Sequence, residues 1–251
     1  MTTNAQVAEW IQALDRQDKQ ALRSAVDGLI KALPDSPDLA AALKDLLNYP
    51  HGKARWPVAY ILAHLSPPPP GTLPTLLKAL DDPDPDVRWA IILLLARLTR
   101  QEMALLQLPI ELLSNGTATQ RRMAIYYLKE LKLKNESVVE TLLSALGDAD
   151  PTVRVAAVIT LKEKEVHVQG RRALLDLLRH DGDIRVQHAA AITLASLEAP
   201  SEEFVATLNE ALQTASPSLK KAAGAALRII QEKKEVRPIR QLTSPVKRTS
   251  N

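Results

Sequence analysis

The stretch DDPDPDVRWA, residues 81–90, places four aspartates and two prolines directly before the apolar run 90–96. Asp84 lies three residues before Val87 and has a side chain that readily caps the N-terminus of a helix. Pro85 follows at the first helical position, where its fixed φ and missing N–H favour a helix start. The stretch therefore predicts a turn that ends one helix and starts the next.

The same arrangement recurs every 33 residues without a gap. Leucines stand in register at Leu62, Leu95, Leu128, Leu161, Leu194 and Leu227. The N-cap position is occupied by His51, Asp84, Thr117, Asp150, Asp183 and Ser216. A second set of leucines precedes each turn at the i, i+4 spacing of an amphipathic helix. Each repeat is therefore predicted to be a helix, a capped turn and a second helix.

These repeats define the expected domain organisation. Residues 35–232 divide into six units of 33 residues, and residues 1–34 form a degenerate N-terminal cap, predicted as a helix pair. Residues 233–251 hold six cations against one acid, with two prolines and a Ser/Thr-rich end. That composition predicts a basic, disordered tail. Helix pairs of this kind bury their apolar stripes by stacking, so the predicted fold is all-α, a right-handed α-solenoid.

Two copies carry a family resemblance. DDPDPDVRWAIILLLARL (81–98) and GDADPTVRVAAVITLKEK (147–164) resemble HEAT repeats, specifically the short form seen in phycobilisome-lyase-like proteins. The resemblance covers about residues 35–232. It implies that the aligned Arg55, Arg88, Arg121 and Arg154 are structural and pair with turn aspartates, for which Asp84 and Asp150 are available. These arginines are therefore not counted among the candidate ligand contacts.

Composition supports this fold and limits the function classes. Of the 251 residues, 46% are hydrophobic and only 3% aromatic, glycine is scarce, and there is no cysteine. Disulfides, thiolate metal sites and a cysteine nucleophile are thereby excluded. The N-terminus lacks a signal-peptide pattern, and no apolar run approaches the roughly 18 residues of a membrane span. We expect a cytoplasmic protein without a membrane partner.

Binding residues are predicted from a helical wheel of the second helices. The positions most opposed to the buried Val87 and Leu94 positions are those of Trp89 and Ala96. In HEAT-like stacks this side lines the concave surface. The predicted stripe consists of Trp56, Ala63, Trp89, Ala96, Arg122, Lys129, Val155, Lys162, His188, Ala195, Lys221 and Arg228. It contains no acid, which indicates an anionic partner; the plainer interpretation is a solvated charged face.

Signatures of catalysis are missing from the sequence. None of the five histidines forms an H-E-x-x-H or H-E pattern, and there is no G-x-S-x-G, P-loop or G-x-G-x-x-G. His180, Asp181, Asp183 and His188 could imitate part of a metal site, but their simpler interpretation is a capped turn. We expect no catalytic residue, cofactor, metal or small-molecule substrate.

The leading hypothesis is a non-enzymatic scaffold or adaptor whose concave stripe binds an acidic protein segment. One alternative is nucleic-acid binding through the same stripe and the basic tail, with bases stacking on Trp56 and Trp89. The other, implied only by the family resemblance, is a bilin-lyase-like or other protein-modifying factor.

Overall fold

A computed structural model of the chain describes residues 4–15, 18–48, 55–133, 135–162, 167–197 and 201–242. Within these ranges the backbone forms fourteen α-helices and three short 3-10 helices, and it contains no strand. The predicted all-α class is confirmed. The chain divides into two compact units, residues 1–108 (unit 1) and 109–251 (unit 2).

Six helices lie within the described residues of unit 1. They are α1 (Asn4–Ala13), α2 (Lys19–Ala32), α3 (Pro37–Asn48), α4 (Arg55–Leu62), α5 (Thr72–Ala79) and α6 (Pro85–Gln101). Short 3-10 turns follow α2 at Leu33–Asp35 and α6 at Met103–Leu106. Helices α2, α4 and α6 occupy the second-helix position of their repeats, because they carry the positions that the leucine register aligns.

Helix α7 (Gln107–Asn115) spans the boundary between the units, and the remaining helices belong to unit 2. They are α8 (Ala118–Leu131), α9 (Glu136–Ser144), α10 (Pro151–Leu161), α11 (Val168–His180), α12 (Ile184–Ser196), α13 (Glu202–Thr214) and α14 (Pro217–Leu242). A 3-10 turn at Ala145–Gly147 separates α9 from α10. The second helices α8, α10, α12 and α14 pack against one another in chain order, and α9, α11 and α13 pack against α10, α12 and α14, respectively.

The core lies where the leucine register predicts it. In unit 1, Leu62 and Leu95 are fully buried, and in unit 2 Leu128 and Leu161 are fully buried as well. Leu194 is also buried, whereas Leu227 on the last helix is half-buried. The first-helix leucines Leu43, Leu76, Leu142, Leu175 and Leu208 are also buried. The 33-residue period therefore marks the side chains that face the shared interior of each stack.

Helix starts follow the predicted capping pattern. The Asp84 carboxylate accepts the backbone N–H of Asp86 at 2.9 Å, and the Asp150 carboxylate accepts that of Thr152 at 2.7 Å. Thr117 forms a capping box with Gln120 at the start of α8. Prolines begin α6, α10 and α14. His51, which holds the N-cap position of the first repeat, lies outside the described residues.

The predicted N-terminal helix pair is present as α1 and α2, which pack against each other. A glycine permits their close approach, because a Cβ at Gly28 would lie 2.6 Å from the ring of Trp10. The predicted boundary at residue 34 falls inside the 3-10 turn Leu33–Asp35.

The C-terminal helix α14 runs ten residues past position 232, where the basic tail was predicted to begin. Lys233 belongs to this helix, and its ammonium donates to the backbone oxygens of Ser196 and Leu197. It thereby reaches the C-terminal end of α12. Residues 243–251, the rest of the predicted tail, lie outside the described residues.

Candidate interaction surface

The arginine register builds a ladder of ion pairs in unit 2. Arg121 donates Nε and Nη2 to the Asp148 carboxylate at 2.7 and 2.8 Å. Arg154 makes the same two-pronged contact with Asp181, at 2.7 Å for both bonds. Each arginine thus reaches a carboxylate 27 residues further along the chain, in the turn of the next repeat.

The structural role predicted for these arginines is therefore confirmed at Arg121 and Arg154, but the predicted acid is wrong. Asp150 is committed to the N-terminal N–H groups of α10, and the arginines instead bind the aspartate two residues before each N-cap. In unit 1, Asp84 caps α6 and contacts Lys19 at 2.8 Å. Arg88 donates to the backbone oxygens of Asp82 and Pro83.

Charge pairing shifts the titration of the turn carboxyls. The Arg121 guanidinium holds the pKa of Asp148 below its ordinary value. At Asp181, burial opposes ionisation, yet the hydrogen bonds from Arg154 and the Asp183 N–H still lower the pKa. Hydrogen bonds from Arg185 lower the pKa of Asp183 to about 2. The ladder acids are consequently ionised at neutral pH.

The predicted stripe residues differ widely in exposure. Trp89, Lys162, Lys221 and Arg228 are exposed, whereas Trp56, Arg122, Lys129, Val155 and His188 are half-buried. Ala63, Ala96 and Ala195 are fully buried, so their assignment to the surface is wrong. The wheel considered only the contact between first and second helices. In unit 2 the second helices also pack against each other, which buries a flank of each helix.

The exposed arc is therefore rotated by about 40° from the predicted stripe, toward the residue four positions after Trp89. Leu93 at that position is 45% exposed. The equivalent residues in unit 2 are Tyr126, Ile159, Ile192 and Ala225, of which Ile159 is 42% exposed and the others are half-buried. The sequence signal was present, because this aligned column is apolar throughout, but the wheel assigned no role to it.

We call the outer side of α8, α10, α12 and α14 the unit-2 face. Residues at the same repeat position on the four helices form three rows. The first row is Arg122, Val155, His188 and Lys221. The middle row is Tyr126, Ile159, Ile192 and Ala225, and the third row is Lys129, Lys162, the buried Ala195 and Arg228. Cations thus flank an apolar centre on both sides. Acids on these helices include the half-buried Glu130, a helical turn after Tyr126, and the exposed Glu232, a helical turn after Arg228.

Unit 1 has a corresponding aromatic face on α4 and α6. The rings of Tyr60 and His64 lie 5.6 Å apart, and His64 Nδ1 is 3.0 Å from the Tyr60 carbonyl oxygen. Burial lowers the pKa of His64, so its ring is neutral at pH 7. Trp89, 42% exposed, and Leu93 present apolar surface on α6. Trp56 is half-buried rather than fully available for stacking.

The histidine cluster singled out in the sequence is a capped turn. Asp181 binds Arg154, and the Asp183 carboxylate accepts the backbone N–H of Arg185 at 2.8 Å. His188 Nε2 lies 3.2 Å from the Ser218 hydroxyl, and this contact joins α12 to α14. No group of three or more His, Cys, Asp or Glu residues in the described ranges is arranged to hold a metal ion.

Comparison with known proteins identifies the repeats. The sequence pattern of HEAT repeats matches residues 7–96 and 171–248, more than half of the chain. Among curated proteins, none matches the chain in sequence. None of the helices in the described ranges combines the length and apolar content that a membrane span requires.

Several solved structures are similar to the chain at low sequence identity. Human deoxyhypusine hydroxylase is 17% identical, with a TM-score of 0.43, and the match covers 91% of this chain and 96% of that one. A designed armadillo repeat protein, solved with the peptide (KR)4, is 18% identical with a TM-score of 0.44. The match covers 89% of this chain and 99% of that one. Cex1p is 15% identical with a TM-score of 0.47, covering 93% of this chain and 56% of its own.

Proposed function

This chain belongs to the HEAT-repeat family, and from that premise we propose that it is a non-enzymatic interaction scaffold whose unit-2 face binds an acidic segment of a protein partner. Stacked helical repeats create extended surfaces that suit the binding of other chains. Because a fold alone does not define a function, the proposal depends on the residues of the face.

The observation that carries the proposal is the exposed Ile159 among cations. An exposed aliphatic side chain gains free energy when a partner covers it. Lys162, the C-cap residue of α10, lies one turn beyond Ile159, and Lys221 and Arg228 are exposed on α14. A row of like charges steers an oppositely charged segment and selects against basic ones. Affinity would thus come from the apolar centre, and orientation and selectivity from the cationic borders.

Charge reversal at Lys162 tests the proposal. We expect the Lys162→Glu variant to lose, by more than tenfold, the protein partners that the wild-type chain retains from a nuclease-treated native lysate. The retained proteins should contain acidic segments, and synthetic peptides of those segments should bind the wild-type chain more weakly as salt is raised. Mass spectrometry of the bound fraction and fluorescence anisotropy of the peptides provide the two measurements.

Lys44→Glu is the matched control, because Lys44 is an exposed lysine on the first helix α3 of unit 1. It should retain the same partners, and all three proteins should give the same helical circular dichroism spectrum. Equal partner retention by Lys162→Glu would place the site elsewhere. Loss of every partner after nuclease treatment would favour the nucleic-acid alternative.

A further inference from the structure

The middle row of the unit-2 face determines how far apart the apolar side chains of a bound partner must lie. Tyr126, Ile159, Ile192 and Ala225 occupy the same repeat position on four helices that pack in sequence. Packed helices lie about 8–10 Å apart from axis to axis. Apolar side chains of a partner that meet successive members of this row must therefore recur about every 8–10 Å on one side of its backbone.

Three backbone conformations can be compared with that spacing. In a β-strand, three residues span about 10 Å, but side chains alternate, so the first and fourth residues point to opposite sides. A polyproline II segment has three residues per turn and rises about 3.1 Å per residue. Every third side chain therefore points to the same side, at intervals of about 9.3 Å. In an α-helix, side chains seven residues apart point to nearly the same side, about 10.5 Å apart along the axis.

The cationic borders distinguish the last two conformations. Along each second helix, the first row lies four residues before the middle row and the third row three residues after it, about 6 Å and 4.5 Å along the axis. A helix about 10–12 Å in diameter would cover both borders with its own flanks. A slender polyproline II segment on the middle row would leave the borders open to its two remaining side chains per turn.

We infer that the segment bound by the unit-2 face is an extended, polyproline II-like chain with the repeating pattern apolar-acidic-acidic, three residues for each 33-residue repeat. The apolar residue packs on the middle row. The two acids point to either side of it, toward Lys129, Lys162 and Arg228 at one border and toward Arg122 and Lys221 at the other. The inference rests on the proposed function, because it specifies the partner of the same surface.

Two synthetic peptides of equal composition provide the test with the full-length chain. The first has twelve residues in four Leu-Asp-Glu triplets, and the second carries its four leucines at alternate positions. We expect the triplet peptide to bind at least tenfold more tightly in fluorescence anisotropy. Ile159→Ala should weaken its binding about tenfold. Val168→Ala, which truncates a 64% exposed valine on the first helix α11, should leave it unchanged.

The outcomes separate this inference from the proposed function. Equal affinities for the two peptides, both lost in Lys162→Glu, would overturn the triplet spacing and leave acidic-segment binding intact. Tighter binding of the alternate peptide would overturn it in favour of a strand-like partner. Failure of both peptides to bind would overturn the inference, while the lysate partners of the wild-type and Lys162→Glu chains decide the proposed function independently.

Discussion

At the scale of single residues, the contact between Arg154 and Asp181 explains why the repeats keep an arginine beside the core. The side chains are only 16% and 3% exposed, so both charges are largely withdrawn from water. Arg154 also donates to the backbone oxygen of Asp148 at 2.8 Å, and Asp181 accepts the N–H of Asp183. A buried ion pair is tolerated only when further hydrogen bonds satisfy it, as they do here.

Removing one charge of this pair should be costly. We expect Asp181→Asn to lower the free energy of unfolding by about 3 kcal/mol, because it leaves the Arg154 guanidinium without its counter-charge. Urea denaturation measures the change. Asp176→Asn, at an exposed position on α11, should stay within about 0.5 kcal/mol of the wild type. Equal values for the two variants would show that the pair contributes no net stability.

Residue types could be assigned from the sequence where chemistry allows few choices. The N-caps at Asp84, Thr117, Asp150 and Asp183 were predictable, because few side chains accept N–H groups at a helix start. The partner of Arg154 was not, because both Asp181 and the N-cap aspartates lie in turns. Only the structure shows which aspartate accepts the helix N–H groups and which one therefore remains for the arginine.

At the scale of helices, Pro109 belongs to α7, the first helix of the third repeat. The structure places it as the third residue of α7, after a 3-10 turn at Met103–Leu106. The first turn of a helix tolerates proline, since its N–H groups lack intrahelical acceptors. The proline is thus accommodated in the first turn of α7 and does not interrupt the helix.

Lys233 adds a polar contact to the packing of α14 against α12. Its ammonium lies at the C-terminal carbonyls of α12, where a cation offsets the negative end of the helix dipole. We expect Lys233→Met to lower the free energy of unfolding by about 1 kcal/mol, measured by urea denaturation. Lys221→Met, at an exposed position on the same helix, should have little effect. A loss of equal size in both variants would point to a general effect of charge removal.

The exposed side of the second helices was only partly predictable. Periodicity identifies the side that faces the first helix, but the arc buried between neighbouring second helices depends on how closely the repeats approach. Alanine at position 195 allows that approach and is itself covered. The apolar middle row, which the proposed binding mode needs, became apparent only from the exposure of Ile159.

At the scale of the whole molecule, the acids of the turns make stability depend on pH. Asp148, Asp181 and Asp183 have folded-state pKa values below their ordinary value of 3.8. Stability from these groups is therefore present above pH 3.8 and is lost as the pH falls through their folded pKa values. We expect the melting temperature to fall below about pH 4, as followed by circular dichroism.

A variant that combines Asp148→Asn with Asp181→Asn serves as the control for this acid dependence. Its melting temperature should start lower at pH 7 and decline less steeply below pH 4, because two of the titrating groups are gone. An unchanged acid slope in that variant would assign the loss of stability to other carboxyls.

The forward reach of the ladder arginines bears on how such a chain can change length during evolution. Arg121 and Arg154 each contact an aspartate 27 residues ahead, within the span of one repeat. A tandem duplication of a 33-residue segment in this region would copy both the arginine and the acid that receives it. Each inserted copy would carry its own connection to the next, so growth in whole repeats needs no compensating substitution at the joints.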